Sequence, residues 1–227
     1  MDARPIAGEP DGHIVRGYDG DLMHLRLQVL ELGGYAIEQV CRAVEALVEG
    51  RDSLARAVLA RHEFVLARHA AIEDYVVALL ARRAPVASDL RTILAIARIA
   101  TDLERVGNAA RKITRITLDL RRDAPEARLG PFYRDVKRIA GHATAMLRDA
   151  LDCFDRGDLA GAEGVVERDA EIDAEFRLAL RDLVTHVMED PRHLPVTIHT
   201  VFVIKSLERV GDHARNVAAA LPKLQRR

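Results

Sequence analysis

The stretch that decides the fold of this 227-residue chain occurs twice. Its first copy reads Leu103-Glu104-Arg105-Val106-Gly107-Asn108-Ala109-Ala110-Arg111. Its second copy reads Leu207-Glu208-Arg209-Val210-Gly211-Asp212-His213-Ala214-Arg215. So close a repeat predicts two copies of one structural unit. Apolar residues surround both copies at three- and four-residue steps, so each copy is predicted to lie on a helix.

The glycine of each copy, Gly107 or Gly211, stands inside a predicted helix. A glycine there costs about 1 kcal/mol relative to alanine. Two such glycines in the same register indicate a packing requirement. Without a Cβ atom, they would let a neighbouring helix or a ligand-bearing side chain approach the backbone closely.

Apolar residues recur at helical spacing through six segments that glycine and proline separate. Hydrophobic residues make up 49% of the chain and charged residues 30%, without tryptophan, which is typical of long helices. The sequence therefore predicts an all-α fold of two tandem antiparallel three-helix bundles related by an internal repeat. The predicted ranges are a flexible N-terminal tail (1–20), a first bundle (21–122), a linker (123–130) and a second bundle (131–227).

Several classes of protein are excluded by the sequence. The net charge is −1 with basic and acidic residues interleaved, so no nucleic-acid binding is expected. No run of eighteen apolar residues is present, so the chain is not expected to span a membrane. No P-loop, H-E-x-x-H, G-x-S-x-G or paired Glu-x-x-His motif occurs, so we expect no enzyme. The histidines outside the candidate sites, including His213, are assigned to the surface or to helix ends.

Four carboxylates of the second repeat are candidate metal ligands. Asp169 and Asp173 are spaced i,i+4 on the fifth predicted helix, and Glu208 and Asp212 share that spacing on the sixth. Residues so spaced lie on one face of a helix. If the two helices are neighbours, the four carboxylates converge on one surface. Oxygen-rich clusters of this kind suit magnesium, manganese, calcium or iron.

A solvated, salt-bridged surface explains the same spacing. Glu208 has Lys205 three residues before it, and Asp212 has Arg215 three residues after it. Such pairs would compensate the acidic charge without a metal. Both interpretations stay open at this point.

The first repeat offers fewer candidate ligands. Glu104 and Asn108 match the pair on the sixth helix, but Asn108 is not a carboxylate. The positions that correspond to the fifth-helix pair hold no carboxylate either; they are His62 and Leu66. His69 and Glu73 at i,i+4 are further candidates, although a surface histidine beside a glutamate is the default interpretation of this pair.

Four stretches resemble the PhoU family of phosphate-transport regulatory proteins. They are Pro85-Val86-Ala87-Ser88-Asp89-Leu90-Arg91 with the following Asp102-Leu103-Glu104-Arg105-Val106-Gly107, the second copy of the repeated motif, and Met188-Glu189-Asp190-Pro191. The resemblance covers about residues 20 to 222, including both repeats.

The resemblance implies a cytoplasmic, all-helical regulator without enzymatic activity. Members of the family repress the phosphate-starvation response by communicating between the ATPase subunit of a phosphate ABC transporter and a sensor histidine kinase. They also self-associate, so a homodimer or a larger homo-oligomer is expected. A negative regulator or adaptor of phosphate uptake is therefore the leading interpretation.

The resemblance also implies metal clusters on the surface of the bundles. Iron or zinc would be the metal in some members, and manganese or magnesium would suit the same carboxylates. The matching positions are Asp169, Asp173, Glu208 and Asp212 in the second repeat and Glu104 in the first. Because His62, Leu66 and Asn108 depart from the pattern, we expect one metal centre per chain or a differently liganded centre in the first repeat.

Two other functions compete with this interpretation. A carboxylate-bridged metalloenzyme, either a hydrolase or an oxidase, would use the same acidic residues around an open metal position. An accessory protein of a different transporter would share the fold. The sequence does not separate the last of these from the leading interpretation.

Overall fold

The computed structural model describes residues 11–83, 85, 87–123 and 132–225. Six long helices account for nearly all of them, and no strand occurs in these ranges, which confirms the all-α prediction. The helices are α1 (Asp11–Glu49), α2 (Asp52–Arg83), α3 (Ala87–Asp123), α4 (Tyr133–Arg156), α5 (Leu159–Glu189), α6 (Leu194–Ala220) and the short α7 (Pro222–Gln225). A single 3-10 turn, Pro191–His193, joins α5 to α6.

Glycines and an aspartate set the helix ends around α1, α4 and α5. Gly50 and Gly157 follow α1 and α4 with φ angles of 62° and 68°, a left-handed conformation that glycine adopts without strain. The carboxylate of Asp158 then accepts a hydrogen bond of 3.0 Å from the backbone N–H of Gly161. This side-chain cap satisfies one of the free donors at the start of α5.

Helix α1 begins at Asp11, inside the segment 1–20 that we predicted as a flexible tail. The helical start directly follows Pro10, the last proline before α1. Extending an existing helix adds one hydrogen bond per residue, so it can continue through isolated glycines that composition alone marks as loose. Residues 1–10 of the predicted tail and 124–130 of the predicted linker lie outside the described residues.

The two bundles pack against each other through α3 and α6, and through α1 and α4. Helices α3 and α6 run antiparallel, because Asp102 lies beside His213 whereas Lys112 lies beside Phe202. Helix α2 covers α1 and α3 on one side, and α5 covers α4 and α6 on the other. The buried apolar side chains therefore form one continuous core. None of the described helices is both long enough and apolar enough to cross a membrane.

The repeated glycines allow a close helix crossing in each bundle. A Cβ atom added to Gly107 would lie 2.7 Å from Cγ1 of Val65 on α2, and one added to Gly211 would lie 2.9 Å from Cδ1 of Ile172 on α5. Both distances are below normal carbon–carbon contact. The packing role predicted for the two glycines is confirmed. Val65 and Ile172 occupy equivalent places in the two bundles.

Candidate metal sites at the two helix crossings

The four candidate carboxylates of the second repeat flank the crossing of α5 and α6. Ile172 packs against Gly211 at its centre. Asp169 and Asp173 lie on either side of Ile172 in the sequence of α5, and Glu208 and Asp212 lie on either side of Gly211 in α6. The local cause is the i,i+4 spacing, which keeps each pair on the face that meets the other helix.

Two cations accompany these carboxylates. Arg215 donates from Nη1 to Oδ2 of Asp169 at 2.8 Å and places Nη2 3.7 Å from Oδ1 of Asp212. Lys205 donates from Nζ to Oε1 of Glu208 at 2.6 Å. The contacts of Lys205 with Glu208 and of Arg215 with Asp212 lie within α6, as their spacing in the sequence predicted. The bridge from Arg215 to Asp169 joins two helices and could not be read from that spacing.

Burial makes two of the carboxylates unusual. Asp169 is only 8% exposed, and this burial raises its pKa; Arg215 opposes the rise, and the charges of Asp212 and Asp173 add to it. Glu208 is 9% exposed, and its Oε2 atom is buried without a hydrogen-bond partner among the described residues. A buried carboxylate oxygen left unpaired is costly, so Glu208 keeps an unused acceptor at this crossing.

The chemistry of the donors fits a hard cation, although the described side chains are not arranged as a ligand cage. No group of three or more His, Cys, Asp or Glu residues in the described part of the chain lies close enough to hold a metal. Oxygen-only donors and the unpaired Glu208 oxygen suit magnesium, manganese or iron better than zinc, which favours nitrogen and sulfur. Asp169, Asp173, Glu208 and Asp212 would hold such an ion in place of the ammonium and guanidinium groups.

The first crossing carries a different set of polar groups. Val65 packs against Gly107, which aligns His62 with Asp169 and Leu66 with Asp173, as the sequence comparison predicted. The amide of Asn108 donates to Oε1 of Glu104 at 2.5 Å. This crossing therefore holds one carboxylate where the second holds four.

His62 is the most buried polar side chain at the first crossing, at 2% exposure. Neither ring nitrogen makes a hydrogen bond of normal geometry with a described residue, although the side chain of Asn108 approaches the ring. Burial lowers the pKa of His62, and the charge of Arg111 lowers it further, against the opposing effect of Glu104. The imidazole is therefore favoured in its neutral form. Sequence reasoning identified the position but had no signal for this burial.

The pair of His69 and Glu73 divides between the interior and the solvent. Nδ1 of His69 lies 3.7 Å from Oε2 of Glu73, whose side chain is 64% exposed. Nε2 of His69 is buried without a partner in the described ranges. The structure thus brings His69 towards the protein interior and leaves Glu73 on the surface.

His213 is not at the surface or at a helix end, so its assignment from the sequence is wrong. The residue is buried, and its Nδ1 lies 2.9 Å from Oδ1 of Asp102. The amide of Asn216 donates to the same oxygen at 3.3 Å. Because Asp102 is on α3 and His213 is on α6, the contact joins the two repeats, and no local spacing could indicate it.

Comparison with known proteins gives the same division into two halves. A family model described as the PhoU domain matches residues 29–117 and 136–221, one copy in each bundle. A phosphate-specific transport system accessory protein PhoU homolog of Pseudomonas putida is 40% identical over 91% of this chain and 79% of its own length. The corresponding protein of Escherichia coli K12 is 32% identical over 90% of this chain and 83% of its own length.

Two solved structures share the architecture. The crystal structure of PhoU from Pseudomonas aeruginosa matches with a TM-score of 0.85 and 37% identity, covering 91% of this chain and 98% of that one. The phosphate transport system regulatory protein PhoU from Streptococcus pneumoniae matches with a TM-score of 0.81 and 25% identity, covering 92% and 96%. The duplicated helical triplet is thus common to this chain and to both structures.

Proposed function

The chain belongs to the PhoU family, and from this membership we propose that it is an accessory protein of phosphate transport that regulates phosphate uptake. The observation that carries the proposal is the match of the family model to both halves of the chain. Relatives named as phosphate-specific transport system accessory proteins align over about nine-tenths of the sequence. No motif for a catalytic activity was found in the sequence.

We propose further that the protein acts in the cytoplasm as a negative regulator, linking the ATPase subunit of a phosphate ABC transporter to a sensor histidine kinase. The long helices offer extended faces for protein contacts, which suits an adaptor. Purified ATPase subunit and the cytoplasmic part of the kinase should each be retained by the immobilised chain. The adaptor role is contradicted if circular dichroism shows that the chain is folded but it retains neither the ATPase subunit nor the kinase.

We propose that the second crossing binds one divalent or trivalent metal ion through Asp169, Asp173, Glu208 and Asp212. The buried, unpaired Oε2 atom of Glu208 supports this assignment. Elemental analysis of the purified protein should find iron, manganese, magnesium or zinc in a fixed ratio. The ratio should fall to background in an Asp169→Ala/Glu208→Ala variant.

An exposed carboxylate of α5 supplies the matched control for this experiment. Glu171 lies between Asp169 and Asp173 in sequence but faces the solvent. The variant Glu171→Ala should keep the full metal content. Equal metal content in all three proteins, or none in any, would reject the site.

Self-association is the part of the proposal that depends on family membership alone. Sedimentation equilibrium should give the mass of a homodimer or a larger homo-oligomer, and a monomer at micromolar concentration would reject it.

A metalloenzyme function would be indicated instead by metal-dependent turnover of a phosphoester or of oxygen that Glu208→Ala abolishes. Nothing in the geometry of the crossing favours that alternative over a structural or sensory metal.

A further inference from the structure

A surface cavity outside both crossings lies where α3 meets α7. Its volume is about 310 Å³, and its lining comes from one face of α3 and from the last short helix. The lining residues are Arg91, Leu94, Ala95, Arg98 and Lys223. The volume is near the lower end of the range for small-molecule sites, which begins at about 300 Å³.

The charged residues of this cavity are all cations. Arg91, Arg98 and Lys223 are exposed, and no ion pair or side-chain hydrogen bond joins any of them to another described residue. The nearby carboxylate of Asp102 is occupied across the α3–α6 contact by His213 and Asn216. Three positive charges therefore face the same small volume without an acidic residue in the lining.

The fold does not require these cations, as the internal repeat demonstrates. The alignment that matches Gly107 with Gly211 also matches Leu94 with Ile198, so the apolar position is kept in both halves. The two cationic positions of α3 are not kept: in α6 they hold Pro195 and Phe202. Since α6 forms the same kind of central helix without them, Arg91 and Arg98 are not needed for folding.

Between Arg91 and Arg115, none of the exposed positions of α3 carries an acidic side chain. From Arg91 onward to Arg115, they are Arg91, Leu94, Arg98, Arg105, Lys112 and Arg115. The chain as a whole carries almost equal numbers of basic and acidic residues, 34 and 35, so this face is locally positive. A local positive field raises the concentration of anions at the cavity.

We propose that the cavity binds a small molecule that carries a phosphate group. Arginine contacts phosphate through two parallel N–H donors, and lysine adds a compact point charge. A phosphate monoester carries about −1.5 to −2 charges at neutral pH, which suits three cations. Leu94 and Ala95 offer an apolar wall for the organic part of the molecule. This site is separate from the proposed metal site and does not depend on the adaptor role.

Calorimetric titration of the whole protein with defined probes tests the proposal. Adenosine monophosphate and inorganic phosphate probe a free ligand, and phosphatidylcholine vesicles with and without phosphatidic acid probe a lipid headgroup. Adenosine lacks the phosphate, and succinate offers two carboxylates instead. We expect at least one phosphate-bearing probe to bind, and adenosine and succinate to bind at least about tenfold more weakly.

Variants then assign the binding to the cavity. Removing one charge-assisted contact to phosphate should weaken binding about tenfold or more, so Arg91→Ala and Arg98→Ala should each do so. Arg115→Ala removes an exposed arginine of α3 outside the cavity and should leave the affinity unchanged. Thermal unfolding of each variant checks that the fold is intact, and Lys223→Ala provides a further variant outside α3.

The source of the phosphate follows from which probe binds. Binding of the monophosphate or of inorganic phosphate assigns a free metabolite, and binding restricted to vesicles with phosphatidic acid assigns a lipid headgroup. Either result supports the proposal. It is overturned if no phosphate-bearing probe binds, if succinate binds as tightly, or if Arg98→Ala and Arg115→Ala have the same affinity as the unaltered protein.

Discussion

The substitution Gly107→Ala tests the close crossing in the first bundle. The new Cβ atom would lie 2.7 Å from Cγ1 of Val65, about 1 Å closer than the 3.5–4.0 Å optimum for two carbon atoms. Val65 is buried and β-branched, so it has little freedom to rotate away. Helix α2 or α3 must therefore shift.

The expected cost follows from two opposing terms. Overpacking of a buried contact costs about 1–3 kcal/mol, whereas replacing a helical glycine by alanine returns about 1 kcal/mol. Gly107→Ala should therefore lower the free energy of unfolding by about 0–2 kcal/mol. At Gly211 the clash is with Cδ1 of Ile172, the end of a longer side chain that can rotate, so Gly211→Ala should be close to neutral.

Urea denaturation of these variants supplies the measurement, with Gly141→Ala as the matched control. Gly141 is an exposed glycine inside α4, and a Cβ atom there would meet nothing within 4 Å. The control should gain about 0.5–1 kcal/mol, with an unchanged denaturant slope in all variants. If Gly107→Ala gains as much stability as Gly141→Ala, the close crossing is refuted.

Three further predictions concern the polar contacts. The folded-state pKa of His62 lies below its unfolded value, so the unfolded chain binds the extra proton and the free energy of unfolding should fall as pH drops below about 6.5. Urea titrations at pH 5 and 8 measure this fall, and His62→Gln should lose the part of it that His62 causes. Asp102→Ala leaves buried His213 without its partner and should cost about 1–3 kcal/mol in the same assay. Arg215→Ala removes the cation from Asp169 and should raise manganese bound after dialysis, measured by elemental analysis.

Each of these predictions has a control and an opposing result. His24→Gln changes an exposed histidine, and an identical pH profile for it and His62→Gln would contradict the role of burial. Asp119→Ala removes an exposed carboxylate of α3 and should lower the free energy of unfolding by no more than about 1 kcal/mol. If Asp102→Ala lowers it by the same amount, the buried contact with His213 is weak. Arg177→Ala removes an exposed arginine of α5 and should leave the bound manganese unchanged. If Arg215→Ala also leaves it unchanged, Arg215 does not compete with a metal.

Most of the fold could be predicted from the sequence because helix periodicity and the repeat are local signals. The spacing around Gly107 and Gly211 predicted a close approach, and both crossings are present. The start of α1 was placed ten residues too late, because composition marks glycines as loose whereas an established helix continues through them. The linker residues 124–130 lie outside the described part of the chain.

The site was predictable only where its residues share a helix. Spacing indicated Lys205 beside Glu208, and this pair is present. The bridge from Arg215 to Asp169 depends on how α5 and α6 are rotated against each other, which their separate patterns do not specify. The contact between Asp102 and His213 joins two repeats and was missed for the same reason. Metal binding itself stays a prediction.

Regulation of phosphate uptake is the central claim, and a reporter of phosphate starvation tests it most directly. The chain would be produced in cells that lack their own PhoU protein, and reporter activity would be measured in phosphate-rich medium. We expect activity as low as in cells that retain their own protein. Activity as high as with an empty vector, while the folded chain accumulates and binds the ATPase subunit of that host, would contradict the claim.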